Sequence, residues 1–235
     1  MALFVISDLH LAKSVPEKTM TVFRGWENYE DRIKAGFSKV LTEDDTVILG
    51  GDISWGLKLN ETYKDFEFLE SLPCQKILIK GNHDLWWSTV KKMEEFFKQN
   101  NFKSFKILFN NAYEVDDYCI CGTRGWFYDS GDEKILAREA ARLERSIKTG
   151  VESGKKIVVV LHYPPVYGEY VCEPIINILK KYNIKKVYHG HIHGLGFNNA
   201  ISEYEGIKFK LISADCIDFI PWQILDWKIR KYMLL

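Results

Sequence analysis

Five times along this chain a short run with the look of a strand, mostly apolar in all but the last, breaks off in a histidine, an aspartate or an asparagine. Ala2 to Ile6 runs into Ser7-Asp8-Leu9-His10, Thr46 to Leu49 into Gly50-Gly51-Asp52, and Lys76 to Ile79 into Lys80-Gly81-Asn82-His83-Asp84. Lys156 to Leu161 ends in His162, and Lys185 to Tyr188 leads into His189-Gly190-His191-Ile192-His193-Gly194. Runs this short and unbroken fit strands covered on both faces, the situation of a largely parallel sheet flanked by helices. The stretches between them agree. Ile33, Phe37, Val40 and Leu41, then Tyr63, Phe66 and Leu69, then Val90, Met93, Phe96 and Phe97, and finally Ile175, Ile176, Leu179 and Tyr182 recur at helical spacing. Glycines beside the polar groups let the backbone turn sharply and come close to an ion.

Parallel strands bring their C-terminal ends to one edge, so groups far apart in sequence meet in one crevice. A turn or a helix cap explains any one of these residues taken singly. Five strand ends in succession, holding five of the six histidines, need a common reason, and neutral imidazole is the commonest metal ligand. The donors are nitrogen and oxygen without thiolate, which suits Mn, Fe, Zn, Ni or Co. Asp8, His10, Asp52, Asn82, His162, His191 and His193 are too many for one ion. Two ions sharing a carboxylate are the economical arrangement.

With 235 residues, 46% hydrophobic and 27% charged, the chain has the make-up of one globular α/β domain spanning 1–235. Thirty-two basic and 32 acidic residues balance, so no overall field attracts nucleic acid or an anionic membrane. The five cysteines are odd in number and form no C-x-x-C pair, which points to a reduced, cytoplasmic setting. The apolar start is broken by Asp8 and His10 too soon for a signal peptide or a membrane span. After the third helix the rhythm changes. Ile107 to Phe109, Tyr113 to Val115 and Tyr118 to Gly122 follow one another without helices, as a meander starting a second sheet with Asp116-Asp117 at its turn. Asp132 is positioned to cap a helix carrying Leu136, Ala140, Leu143 and Ile147. Ile207 to Ser213, Gln223 to Trp227 and Ile229 to Leu234 are expected to close that second sheet.

In order, spacing and flanking glycines, the segments Asp8-Leu9-His10, Gly51-Asp52, Gly81-Asn82-His83-Asp84, His162 and Gly190-His191-Ile192-His193 resemble the five motifs of the calcineurin-like metallophosphoesterases. The resemblance covers residues 8 to 193. It implies a four-layer sandwich, two mixed β-sheets packed face to face with helices outside. It also implies that Asp8, His10, Asp52 and His193 hold one metal and that Asp52, Asn82, His162 and His191 hold the other. Asp52 then bridges, His83 assists the leaving group, and Asp84 is the carboxylate partner of His83.

Two cations in such a site generate hydroxide near neutrality and neutralise phosphate charge, so no serine or cysteine nucleophile is required. The expected substrate is a small phosphorylated molecule, and a phosphodiester fits best because the resemblance places Asp84 where protein phosphatases usually carry Glu. A phosphomonoesterase of the protein-phosphatase kind and an inactive metal-bearing module are the competing readings. Trp55, Trp86 and Trp87 serve either as core or as pocket walls. Phe23, Trp26, Arg124 and Trp126 fall on irregular segments where specificity is set. Arg124 has a fork able to grip a phosphate, and an ordinary salt bridge is its other use. His189 fits no motif and reads as a satisfied strand-end histidine, and Cys119 and Cys121 read as small buried hydrophobes on one strand face.

Overall fold

The computed structural model describes residues 1–125 and 133–224. The chain first alternates strand and helix: β1 (Leu3–Ile6), α1 (Tyr29–Val40), β2 (Thr46–Leu49), α2 (Tyr63–Glu70), β3 (Gln75–Leu78), α3 (Val90–Gln99) and β4 (Phe105–Ile107). Next come β5 (Tyr113–Val115), β6 (Tyr118–Thr123), α4 (Glu133–Glu152), β7 (Lys156–Leu161), the small hairpin β8 (Val166–Tyr167) and β9 (Tyr170–Val171), α5 (Glu173–Lys181) and β10 (Lys186–His189). β11 (Glu203–Tyr204), β12 (Ile207–Leu211) and β13 (Trp222–Gln223) complete the strands described. Helix starts follow local chemistry. The Thr89 side chain accepts the Lys92 N–H at the head of α3, and Pro174 occupies the first turn of α5, where no backbone donor is needed.

The strands form a five-stranded sheet in the order β13-β1-β2-β3-β4 and a six-stranded sheet in the order β11-β12-β10-β7-β6-β5. Within the first, β1 to β4 are parallel and β13 runs against β1. In the second, β12, β10, β7 and β6 are parallel, with antiparallel strands at both edges. Because side chains alternate across a strand, each sheet has two apolar faces to cover. Leu3, Val5, Ile48 and Ile77 of the first sheet meet Ile120, Val158, Val160 and Tyr188 of the second in one inter-sheet layer. Phe4, Ile6, Val47 and Leu49 face outward onto Ile33, Phe37, Phe66 and Met93 of α1 to α3. On the far side Val159, Leu161 and Val187 pack on Leu143 and Ile147 of α4 and Ile176 of α5. The result is four layers, helix, sheet, sheet, helix, the arrangement implied by the motifs. Cys119 and Cys121 lie buried in that last apolar layer as free thiols.

Two expectations are corrected. Ile107 belongs to β4, which continues the first sheet in parallel with β3, so the second sheet begins only at β5. Gln223 belongs to β13, paired with β1, and Ile224 closes the end of the inter-sheet layer, so this segment borders the first sheet rather than the second. Burial decides this: the free edge of β1 would otherwise leave its backbone groups and Leu3 uncovered. Asp132 and the stretch 225–235 fall outside the described residues. At the C-terminal ends of the strands the two sheets are joined through Ser7, which donates its N–H to Ile212 and accepts the N–H of Ala214.

Candidate metal centre

The loop after β1 carries Asp8 and His10, the loop after β2 carries Asp52, and the loop after β3 carries Asn82, His83 and Asp84. From the second sheet, β7 ends in His162, and the turn after β10 carries His191 and His193. Asp8, His10, Asp52 and His191 all have positive φ, between 47° and 72°, a conformation that costs non-glycine residues of order 1–3 kcal/mol each and persists only where the surroundings impose it. The surroundings do impose it. The Asp8 and His10 N–H groups donate to the Gly51 and Asp52 carbonyls, so the first two loops run on as a ladder beyond the strands. Two glycines let the loops touch: a Cβ at Gly81 would fall 2.1 Å from the Asp52 carboxylate, and one at Gly190 would fall 2.2 Å from that of Asp8.

Seven side chains lie close together at this edge. His193 Nε2 lies 3.3 Å from Asp8 Oδ1 and 3.4 Å from His10 Nε2. His162 Nε2 and His191 Nδ1 lie 2.6 Å and 2.9 Å from the amide oxygen of Asn82. Between the two groups stands Asp52, whose Oδ2 is 3.8 Å from His10 Nε2 and 3.5 Å from His162 Nε2, while Oδ1 accepts the His83 N–H at 2.7 Å. Asp8, His10 and His193 thus make one set able to hold an ion and Asp52, His162 and His191 a second, with all donor atoms of a set within 4.8 Å of one another. Donors about 2.1 Å from a common ion stand about 3.0 to 3.5 Å apart, and the 3.3 to 3.5 Å contacts of His193 with Asp8 and His10 and of Asp52 with His162 are of that size.

Electrostatics separates the donors. Burial, then the neighbouring cationic His193, pushes His10 well below its ordinary pKa, and burial carries His162 down to about 3, so both present neutral lone pairs. Burial acts on His193 in the same direction, but hydrogen bonds to Asp215 and Asp8 overcome it and raise that ring to about 10. Burial opposes ionisation of Asp8 too, yet the His193 contact and the nearby imidazoles hold its carboxyl far below the usual range. Asp52 is pushed up by burial and by the Asp8 and Asp84 charges. Two carboxylates crowded in one buried site call for more positive charge than a single proton supplies, which is what bound cations bring.

Asp84 is not where the motif places it. Its buried carboxylate accepts N–H bonds from Asp52, Ile53, Ser54, Gly81 and the Trp86 indole, at 2.7 to 3.3 Å. It therefore fastens the second metal loop to the third rather than partnering His83. The exposed His83 ring instead stands beside Trp55, at 4.6 Å, and His10, at 5.7 Å. Trp55 stacks on His10 and Trp26 meets both His10 and His193 edge-on, so these two rings wall the first set. Trp86 is core, and Phe23 is exposed. His189 is buried, with Nδ1 3.2 Å from the Gly190 carbonyl oxygen. Arg124 sits at the end of β6 with its backbone carbonyl accepting the N–H groups of His162 and Tyr163, and its side chain reaches to 3.9 Å from Glu139. Trp126 lies outside the described residues.

Asp215 was missed. It follows β12, accepts from His193 Nδ1 at 2.9 Å, and so orients the ring whose other nitrogen faces Asp8. Ser213, on the same turn, donates its hydroxyl to Asp8 Oδ2. The signal was present: Ile207 to Leu211, where apolar residues alternate with Lys208 and Lys210, is a further strand followed by polar groups, and convergence of strand ends delivers Asp215 to the same edge.

The chain is similar to a Coxiella burnetii protein named as a probable cyclic nucleotide phosphodiesterase, at 23% identity over 90% of this chain and 82% of the relative. Among solved structures it resembles a protein of unknown function from Aquifex aeolicus, with a TM-score of 0.54 and 19% identity across 100% and 99% of the two chains. It also resembles the phosphopantetheinyl hydrolase of Mycobacterium tuberculosis, with a TM-score of 0.50, 15% identity and 97% coverage of both. Among the described residues no helix is long and apolar enough to cross a membrane. The family model of the calcineurin-like phosphoesterases matches residues 1–195, and the chain, with its two donor sets, belongs to that family.

Proposed function

We propose that the chain is a dinuclear metal-dependent phosphodiesterase. The observation that carries this reading is the pair of donor sets meeting at Asp52, with the exposed His83 beside them. Two transition-metal ions, Mn, Fe, Zn, Ni or Co, held by Asp8, His10, Asp52 and His193 and by Asp52, Asn82, His162 and His191 would supply charge against the phosphate oxygens and acidity to the attacking water. The protein's part is to hold these donors rigid, to orient the ester and to move a proton. Asp52 fixes the spacing of the two sets while its second oxygen anchors the backbone of His83. Trp26 and Trp55 exclude water from one side.

His83 is the group for the leaving oxygen. Desolvation lowers its pKa in the metal-free protein, so the protonated ring depends on the negative charge that a bound phosphate brings. Arg124 and Trp126 are the proposed substrate contacts. A diester is favoured over a monoester by the Coxiella relative, whose name is that of a phosphodiesterase.

The test compares His83→Asn with the wild type on bis-p-nitrophenyl phosphate and on an alkyl phosphodiester at matched metal content. A poor alkoxide leaving group needs the proton, so kcat on the alkyl ester should fall by about 10²- to 10⁴-fold and far less on the nitrophenyl ester. Equal losses remove His83 from proton transfer. Faster turnover of monoesters or phosphopeptides than of any diester would replace the reading by the phosphatase one, and no turnover by metal-loaded protein would leave a binding module.

A further inference from the structure

An imidazole that hands a proton to a leaving oxygen has to reach it within hydrogen-bond distance, so its ring needs holding as well as its backbone. The backbone of His83 is held: its N–H donates to Asp52 Oδ1 and its carbonyl accepts the Leu85 N–H, both at 2.7 Å. The ring is exposed, and among the described residues neither of its nitrogens has a hydrogen-bond partner. Asp84, the carboxylate expected to steady it, is committed to backbone and indole N–H groups. What stands against the ring is the indole of Trp55, with centroids 4.6 Å apart and planes at 54°.

Trp55 is a rigid mount for that contact. Its N–H donates to the Leu11 carbonyl at 2.9 Å, and its own carbonyl accepts from Lys18 Nζ at 3.2 Å. The residues on either side are tied as well, because the Ser54 hydroxyl donates to the buried Asp65 carboxylate and accepts the Gly56 N–H. The indole lies nearly flat on His10, at 4.9 Å and 23°, and His10 is buried in the first donor set. His10, Trp55 and His83 thus form a triangle of rings whose third side is 5.7 Å, with one corner among the metal donors and one in the open. The buried indole N–H has no acceptor among the described residues, so the contacts Trp55 makes here are those of its ring.

We propose that Trp55 is a positioning residue for His83, holding the imidazole in a fixed place relative to the metal donors while leaving its nitrogens free for the substrate. The link to turnover rests on the phosphodiesterase reading, whereas the holding of the ring does not. An aromatic pair attracts beyond the area it buries, enough to raise the population of the held orientation by a factor of roughly 2 to 12. A carboxylate partner would instead occupy one of the two nitrogens. Turnover of esters with poor leaving groups then depends on a side chain that carries no proton itself.

Turnover is tested in a double-mutant cycle of wild type, Trp55→Leu, His83→Asn and the double variant, each brought to the same zinc content. The substrates are bis-p-nitrophenyl phosphate and an alkyl phosphodiester. Trp55→Leu should lower kcat on the alkyl ester by about 2- to 12-fold more than on the nitrophenyl ester, and this excess should vanish once His83 is asparagine. Trp55→Phe keeps a ring and removes no hydrogen bond to the protein, so it should recover most of the excess. No excess in Trp55→Leu, or one that persists without His83, means that Trp55 acts on His10 or on the substrate directly, and overturns the positioning role.

If His83→Asn itself loses equally on both esters, the proton-transfer reading of His83 fails, and the cycle is read on the losses themselves: additive losses overturn the positioning role and non-additive ones uphold it. Holding of the ring is tested without turnover, by NMR on metal-free and zinc-loaded protein. Cross-peaks between the His83 ring protons and the Trp55 indole protons should appear in both states, and the His83 ring-proton shifts should move in Trp55→Leu. Their absence from the zinc-loaded protein overturns the proposal. If neither ester is hydrolysed, the phosphodiesterase reading fails, and the NMR result still decides whether Trp55 holds His83.

Discussion

The two donor sets differ in what stands behind their imidazoles. His193 is backed by the carboxylate of Asp215, whereas His162 turns its Nδ1 to the neutral carbonyl of Gly50 at 3.1 Å in a fully buried position. The first set also lies under the rings of Trp26 and Trp55, and the second is drawn together by the Asn82 amide oxygen. Identical ligand types thus acquire opposite character from their neighbours. In the metal-free protein the first set carries a proton on His193, and in the second His162 presents a lone pair already bare. A cation entering the first set has to displace the proton of His193, and one entering the second meets no such proton on His162.

The comparison is broken outright at Asp52, the residue that both sets share. Asp52→Ala should release both ions and reduce hydrolysis of phosphodiesters to background, with metal content and rate measured on the same reconstituted sample. Loss of one ion only would mean that the sets are independent. Asp84→Ala comes next, because it leaves five N–H donors without their acceptor in a buried loop. Stability should drop by about 4 kcal/mol or more, read as a lower melting temperature in the presence of chelator. A small shift would show that the loops are held by their glycine contacts alone.

Asp215→Asn sharpens the difference between the sets. It should weaken the ion at the first set by about 10- to 100-fold and spare the second, and Asp215→Glu should recover part of the loss. The smallest effect is in pH dependence. Since His193 is raised to about 10, affinity at the first set should improve roughly tenfold per pH unit from neutrality toward that value, a dependence that the neutral His162 does not add at the second set. The stability of metal-free protein has the opposite sign: a raised histidine contributes fully below its unfolded pKa of about 6.5 and loses that contribution by about pH 10. Chelator-treated protein should therefore melt at lower temperature as the pH rises through that window, and Asp215→Asn should flatten the trend.

Most of this centre was legible because parallel strands convert sequence order into spatial convergence. An apolar run that stops at Asp8, Asp52, Asn82, His162 or His191 has only one edge at which to stop. What failed were inferences from adjacency along the chain. Asp84 follows His83, but consecutive residues in a tight turn point apart, and the inward one found five backbone and indole donors. Asp215 sits past a strand that the sequence did reveal, yet its aspartate carries no glycine or histidine beside it to mark it as part of a site. The placing of Gln223 erred for another reason: strand pattern reports burial and cannot say which of two facing sheets takes an edge strand.

Ser7 is bonded to both sheets, and every donor set draws on both. Cation affinity is consequently a gauge of how squarely the sheets sit on one another. A void opened in the layer between them, at Ile48 or Val160, touches no ligand and is still felt at the ions as a misfit between halves. Thermodynamic reciprocity turns this around: saturating cation should add less to the melting temperature of such a variant than to one with a void under α5, at Ile176, where only one sheet is concerned.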